Sequence, residues 1–228
     1  MNTERTTATI VGVLYIVGTV AGFLSMVVTG GLLDAPDYLN VVAANASRTM
    51  LGALLVLVMG LALAMVPAMM FPILKRQNEA LAIGYVVFRG ALETVTYIAS
   101  VIGSLLLVPV SQAYLQAGVS DASSFQALGT LLLKARETST TMTEIVFPLG
   151  ALMFYYVLYQ ARLVPRWISG WGIVAGIAYL SAGLIAVFST NLVPLLLPMA
   201  LQEMVMAVWL IARGFSRSAI PSLSVQTN

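Results

Sequence analysis

Long apolar runs are the feature that most constrains what this chain can fold into. Six of them follow one another along 228 residues, separated by short polar connections. A helix that crosses a membrane needs about 20 mostly apolar residues, because the hydrocarbon core is about 30 Å thick. The runs therefore predict an all-α membrane protein, a bundle of six transmembrane helices in one domain over residues 1–228, with a short polar tail over 216–228.

The six predicted spans end at prolines or at polar connections. Pro109 is expected to stop the third span, and a helical lead-in from residue 125 is expected to precede the fourth. A single helix over 125–159 would be more than ~50 Å long, well beyond the thickness of the membrane core. Lys134, Arg136 and Glu137 are therefore expected above the membrane surface or on a separate turn. The predicted spans are residues 8–29, 49–74, 81–108, 142–159, 168–188 and 195–215.

The composition agrees with a chain whose surface faces lipid. Charged residues make up only 9% of it, and hydrophobic residues 60%, whereas soluble proteins carry roughly 25% charged residues. The net charge of +2 gives no basic stripe for nucleic acid. The chain has no histidine and no cysteine, which excludes histidine-ligated haem, thiolate chemistry and disulfides. We predict no cofactor, no metal site and no catalytic residue.

The distribution of lysine and arginine predicts the orientation. Because cytoplasmic connections carry an excess of these residues, both termini are expected in the cytoplasm of a bacterial inner-membrane protein. The first apolar run, about residues 10–28, is longer than the roughly 7–15 residues of a signal-peptide core, so it is read as a spanning helix. The residues then placed on the inner side are Arg5, Lys75, Arg76, Arg162, Arg166, Arg213 and Arg217. Those on the outer side include Asp34, Asp37 and Asp121.

Ionisable residues at membrane depth are the candidate functional groups. They are the pair Arg89 and Glu93 in "FRGALE", Glu144 after a threonine-rich tract, and Glu203 in "LQEMVMAVWLIARGF". Each charge at the membrane centre costs about 2.5–3.5 kcal/mol to insert. That cost favours positions that face the bundle interior and find a partner. Glu144 is also interpreted as a residue that satisfies backbone groups at a helix end.

Spacing along the third span places several of these groups on one face. Arg89 and Glu93 are four residues apart, and Tyr97 follows one turn later. An arginine that holds one carboxylate still has donors left for another group. If Glu203 faces the interior, it approaches Glu93, and the two carboxyl groups can share one proton or one cation. The same pair can also simply fix helix register without any ligand.

Two glycine pairs have the small-xxx-small spacing that lets helices approach closely. They are Gly18 with Gly22, and Gly172 with Gly176. Packing within the chain is one interpretation, and a homo-oligomer formed through these faces is the other.

Three motifs in this order resemble one prokaryotic membrane family. They are "FRGALE", "LVPRWISGWGIVAG" and "LQEMVMAVWLIARGF", and the likeness runs from about Thr7 to about Phe215. The chain resembles the family catalogued as domain of unknown function 4386. The resemblance implies a bacterial six-helix inner-membrane protein and no particular activity. It also implies that Arg89 and Glu203 belong to the family pattern, whereas the role of Glu93 rests on spacing alone.

These observations favour a protein that binds or transports a small polar, anionic or amphiphilic ligand inside the membrane. Arg89 would contact the ligand, Glu93 would orient it, and Glu203 would carry a proton, with Tyr97 and Glu144 as further contacts. The bilayer itself and a lipid or small molecule are the expected partners. One alternative is a structural or regulatory subunit whose buried charges fix helix packing. The other is an intramembrane enzyme that modifies lipids, with Glu93 and Glu203 as an acid–base pair.

Overall fold

The computed structural model describes residues 3–117, 121–188 and 192–216, and all the regular structure in these ranges is helical. The predicted tail from 217 onward, including Arg217, lies outside the described residues. A π-helical segment, Val86–Leu92, joins α4 to α5, and a short 3-10 turn, Val193–Leu195, precedes α8. The α-helices are α1 Thr3–Thr29, α2 Tyr38–Ala44, α3 Ala46–Leu74, α4 Glu79–Tyr85, α5 Glu93–Gln116, α6 Ala122–Ala161, α7 Arg166–Ala186 and α8 Leu197–Ala212.

Five of the described helices are long and apolar enough to cross a membrane. They are α1, α3, the continuous helix 79–116, α6 and α7. The predicted sixth span corresponds to α8, which has 16 residues and is therefore about 24 Å long. Large apolar side chains point away from the bundle, including Phe23 at 64% exposure and Val174 at 69%. An apolar outer surface of this kind indicates a membrane protein.

The long helices form a closed ring. Going round it, α1 packs against α3, α3 against the helix 79–116, that helix against α6, α6 against α7, and α7 against α8. The ring closes because α8 packs back against α1. Its centre is therefore bordered by every long helix, and side chains from different helices can meet there.

The third predicted span is longer than the sequence indicated. The prediction that Pro109 ends it is wrong, because the helix continues through Pro109 to Gln116. Proline removes one backbone hydrogen bond from a helix, but membrane helices tolerate it where neighbouring helices pack around the site. Val108 next to it is buried in an apolar cluster with Leu33, Val42 and Leu107.

The fourth span and its lead-in form one helix. α6 runs without interruption over 40 residues, so the separate turn considered for Lys134, Arg136 and Glu137 is not present. Its length of about 60 Å carries its first half beyond a core about 30 Å thick. That half packs against α5 and, through Gly129, against Leu39 of α2.

The two ends of the ring differ in charge. At the end where α1 begins and α8 ends, Arg5 donates to the carbonyl oxygens of Leu210 at 3.1 Å and of Ile211, and Arg76 pairs with Glu4 at 3.5 Å. We call this the basic end, which has Arg5, Lys75, Arg76, Arg162, Arg166 and Arg213. The opposite end, where α1 ends and α6 begins, is called the acidic end; it has Asp34, Asp37, Asp121 and Glu137, and fewer cations than the basic end, namely Arg48, Lys134 and Arg136. The first and last described helices thus meet at one end.

Both glycine pairs lie in contacts between helices of this chain. A Cβ atom on Gly18 would lie 2.8 Å from the Leu63 side chain of α3, and one on Gly172 would lie 2.6 Å from the Tyr155 ring of α6. Gly22 and Gly176 likewise face Met59 and Leu152. The glycines allow these helices to approach closely, and the homo-oligomer through the same faces stays a prediction.

Candidate functional site

Arg89 lies at the centre of the ring and joins two glutamates. Its Nη1 atom donates to Oε1 of Glu93 at 3.0 Å, and its Nη2 atom donates to Oε1 of Glu203 at 2.9 Å. Arg89 is 2% exposed, Glu93 1% and Glu203 9%. The guanidinium therefore links the helix 79–116 to α8, inside the protein and away from lipid. We call these three residues the Arg89 triad.

The π-helical segment positions Arg89. Arg89 is its central residue, and the segment lies between Pro67 of α3 and Gly150 of α6. A Cβ atom on Gly150 would lie 3.0 Å from the Arg89 backbone nitrogen and 3.2 Å from the Arg89 Cβ. Only glycine at position 150 lets α6 approach so closely without a shift. Short π-helical stretches inside α-helices occur frequently at functional sites.

Aromatic rings surround the guanidinium. The Arg89 Cζ atom lies 4.2 Å from the centre of the Phe147 ring and 5.9 Å from that of Tyr15, both within the range of cation–π attraction. Tyr15 and Tyr85 bring their hydroxyl groups to 3.4 Å from each other. Tyr97 donates to Oε1 of Glu93 at 2.9 Å. These rings exclude water and lipid from the triad.

The site has more negative than positive groups. Arginine has five N–H donors and one positive charge, whereas each ionised glutamate is an acceptor with one negative charge. In the described part of the chain, Arg89 Nε and Glu93 Oε2 are buried atoms without a hydrogen-bond partner. Buried polar groups of this kind are uncommon and call for an explanation. The triad thus retains one donor and one acceptor for a further group.

Four of the five predicted site residues come together. Arg89, Glu93, Tyr97 and Glu203 form one hydrogen-bonded group, and the guanidinium is the cation that Glu93 and Glu203 share. Glu144 does not join them. It is half-buried on α6, and its carboxylate makes no hydrogen bond or ion pair within the ranges that the structure describes. Its backbone packs against Gly183 of α7 instead.

Sequence reasoning missed the aromatic part of the site. Tyr15 lies in the middle of the first apolar run and Phe147 in the fourth, and neither was selected as a candidate. For Tyr15 a signal was present, since a buried phenol usually finds a polar partner. For Phe147 the sequence gave no such signal, because phenylalanine is common in apolar helices. Gln202, next to Glu203, donates to the Ile168 carbonyl at 3.0 Å and so ties α8 to α7.

A family model described as Domain of unknown function (DUF4386) matches residues 10–214. No curated protein and no solved structure matches the chain. The matched range includes every residue of the Arg89 triad and all the aromatic residues around it. Among the described residues, no group of three or more carboxylate, histidine or cysteine side chains is placed to hold a metal ion.

Proposed function

The chain belongs to the DUF4386 family, whose function is unknown, and from the geometry of the Arg89 triad we propose that it binds, for transport, a small anionic or amphiphilic ligand together with a proton. We further propose that α8 is a sixth span and that the basic end faces the cytoplasm of a bacterial inner membrane, following the excess of lysine and arginine there. The observation that carries the proposal is the single guanidinium between two buried carboxylates.

Charge balance links the ligand to a proton. An anion can replace a carboxylate as the partner of Arg89 only if that carboxylate loses its charge, because an additional uncompensated charge in a buried site is costly. A proton on the displaced glutamate leaves the total charge of the site unchanged. One anion and one proton therefore enter or leave together.

Glu203 is the carboxylate that exchanges. Within the triad it is held by Arg89 alone, whereas Glu93 is held by both Arg89 and Tyr97. Glu203 is also the more exposed of the two glutamates. Glu93 keeps the guanidinium in place while Glu203 gives way to the ligand. The titratable groups that lie close enough to interact electrostatically with Glu203 are Tyr15 of α1, Tyr85 of α4, Arg89, Glu93, Tyr155 of α6 and Tyr179 of α7.

Alkylsulfonates test the coupling because they stay anionic at every relevant pH. Propanesulfonate and hexanesulfonate are titrated against the detergent-purified protein, and thermal stability is measured at mildly acidic and mildly basic pH. At a hundredfold excess over its Kd a ligand stabilises a protein by about 2.7 kcal/mol, a shift of several degrees. We expect the shift at acidic pH and a much smaller one at basic pH, since ligand binding requires a proton on Glu203.

Glu203→Gln is the decisive variant. The amide keeps the shape of the side chain and can still accept a hydrogen bond from Arg89. Like the protonated acid, it carries no charge. We expect this variant to bind the sulfonate equally well at both pH values, and Arg89→Ala to bind it at neither. Hexanol, which is uncharged, serves as the control ligand.

One result would favour the structural alternative. If no sulfonate shifts the wild-type protein at either pH, and Arg89→Ala melts far below the wild type, the triad only holds the helices together. The proposal of ligand binding would then be wrong, and a partner protein would become the object of the search.

A further inference from the structure

The bundle core is unequal on the two sides of the Arg89 triad. Toward the basic end, the interior is filled by large apolar side chains that are at most 1% exposed. They include Met70, Leu74, Phe154, Leu158, Leu163, Ile168 and Leu210. Of the buried polar groups in this half, Ser169 and Gln202 donate to backbone carbonyls of α7, and the Tyr155 hydroxyl has no hydrogen-bond partner among the described residues. Large apolar side chains therefore make up most of this half of the core.

Toward the acidic end, large apolar residues such as Val101, Leu107 and Val108 are also buried, but many of the other buried residues are small and several carry a hydroxyl group. Of the buried polar residues, Ser25, Thr49, Ser100, Ser104 and Thr143 are all in this half. The other buried positions there include Gly18, Ala21, Gly52, Ala53, Gly103, Ala182 and Gly183. Helices that meet through small residues have few interdigitated side chains to displace if they separate.

The hydroxyl groups begin at the triad. Tyr97 bonds to the Glu93 carboxylate, and Ser100 and Ser104 follow on the same buried face of α5. Ser104 donates to the Ser100 carbonyl at 3.0 Å and receives a hydrogen bond from Arg136 Nε at 3.1 Å. From Glu93 to Ser104 the distance along the helix is about 16 Å.

The series of hydroxyl groups ends near the membrane surface. Arg136 is half-buried on α6 and lies 25 residues before the end of that helix at Ala161, about 38 Å along the axis. That position is beyond a hydrocarbon core of about 30 Å. Past Ser104, α5 is bordered by the apolar cluster around Leu107 and Ser111 is fully buried, so the half-buried Arg136 is the member of the series nearest the surface.

We propose that the Arg89 triad exchanges its ligand and proton with the acidic end of the bundle, along the α5 face of Tyr97, Ser100 and Ser104, with Arg136 at the entrance. The identity of the ligand and proton that move along this face depends on the proposed function. The arrangement of the side chains that form the face depends only on the geometry. Glu93 supports the route independently, because its Oε2 atom is buried and has no hydrogen-bond partner in the described residues. Arg136 would attract an anion to the entrance.

Cysteine labelling tests the route, and the chain has no cysteine of its own. Ser100→Cys and Ser104→Cys are each exposed to an anionic methanethiosulfonate reagent that does not cross membranes, in right-side-out and inside-out vesicles. The reaction requires a thiolate, which forms in a polar environment and not in lipid. We expect both thiols to react, and only from the acidic end.

Ile102→Cys is the matched control. Ile102 lies between Ser100 and Ser104 along α5, but it is 51% exposed on the lipid side. Ile102 is nearer the acidic end than Ser100. Faster labelling at Ser100→Cys therefore cannot be explained by a shallower position in the membrane. We expect a rate at Ser100→Cys that is roughly tenfold or more above that at Ile102→Cys. Leu158→Cys, in the apolar half of the core, is expected not to react.

Thr138→Cys, exposed on α6 near Arg136, shows that the reagent is active. Equal rates at Ser100→Cys and Ile102→Cys would overturn the route, as would labelling from the basic end or labelling of Thr138→Cys alone. These outcomes do not depend on any ligand. Failure of the route is therefore distinguishable from failure of sulfonate binding, since the protein could pass either test without the other.

Discussion

At the scale of single residues, Arg89 holds two helices together whether or not a ligand binds. A buried ion pair often contributes little beyond what apolar residues would, but removing one partner typically costs 3–5 kcal/mol. Arg89 bonds to one glutamate on its own helix and to another on α8. Its loss would leave two buried carboxylates without their cation, which is why Glu203→Gln and not Arg89→Ala is the decisive variant for function.

Tyr97 allows the strength of the hydrogen bonding at Glu93 to be measured. Tyr97→Phe removes one donor to the carboxylate and leaves the ring in place. A hydrogen bond to a charged group contributes about 1.5–3 kcal/mol to stability. We expect a loss at the lower end of this range, because Glu93 keeps its hydrogen bond from Arg89. Unfolding in a denaturing detergent measures the loss. Tyr156→Phe, at a ring that is 50% exposed, is the control; equal losses in both variants would contradict the assignment.

The residues of the triad were predictable because charge at membrane depth is rare and costly. Arg89 and Glu93 also share a helix, so spacing alone places them together. Glu144 was selected on the same ground, yet its backbone packs against Gly183 of α7, and the ion pairs of Arg89 are with Glu93 and Glu203 instead. Which face of α6 turns inward depends on how the helices pack. Phe147, three residues later on the same helix, is the residue that meets the guanidinium.

At the scale of elements, the π-helical segment is the feature that the sequence did not indicate. Its residues, "VVFRGAL", are ordinary for an apolar helix and show no breaker. A π turn takes one residue more than an α turn, so it rotates the rest of the helix by about 100°. The side chains of α4 and α5 therefore do not lie on the single face that a continuous α-helix would give them.

Gly150 permits the contact between α6 and this segment. Gly150→Ala would place a methyl group 3.0 Å from the Arg89 nitrogen, and overpacking of this kind typically costs 1–3 kcal/mol. Gly170→Ala on α7 is the matched control, since its nearest neighbour would be 3.9 Å away. There, alanine should stabilise the helix by up to about 1 kcal/mol. Thermal unfolding compares the two, and a stabilising Gly150→Ala would show that the close approach is not required.

At the scale of the whole molecule, hydropathy predicted most of the helices to within a few residues. It erred where tertiary packing overrides a local signal, as at Pro109. It also cannot show which helices become neighbours, because the contact between α1 and α8 joins residues about 200 positions apart. Arg5 takes part in this contact through the last carbonyl groups of α8, which have no partner within the helix.

Arg5→Ala tests how much this contact contributes. The variant removes the donors to the α8 carbonyl groups, and we expect a loss of about 1 kcal/mol, since part of the arginine is exposed. We also expect faster hydrogen exchange over residues 205–216, where α8 would fray. Arg213→Ala removes a positive charge from the same end and is the control. Similar exchange in both variants would mean that α8 is held by its apolar face alone.

Because the helices follow one another around the ring and the last meets the first, no helix is unique as a starting point. A circular permutant that joins the present termini and opens the chain between Leu74 and Glu79 would keep the same neighbours around the ring. Its new ends would still lie at the basic end, so the direction in which each helix runs through the bundle would not change. The order of insertion into the bilayer would then be separable from the final architecture.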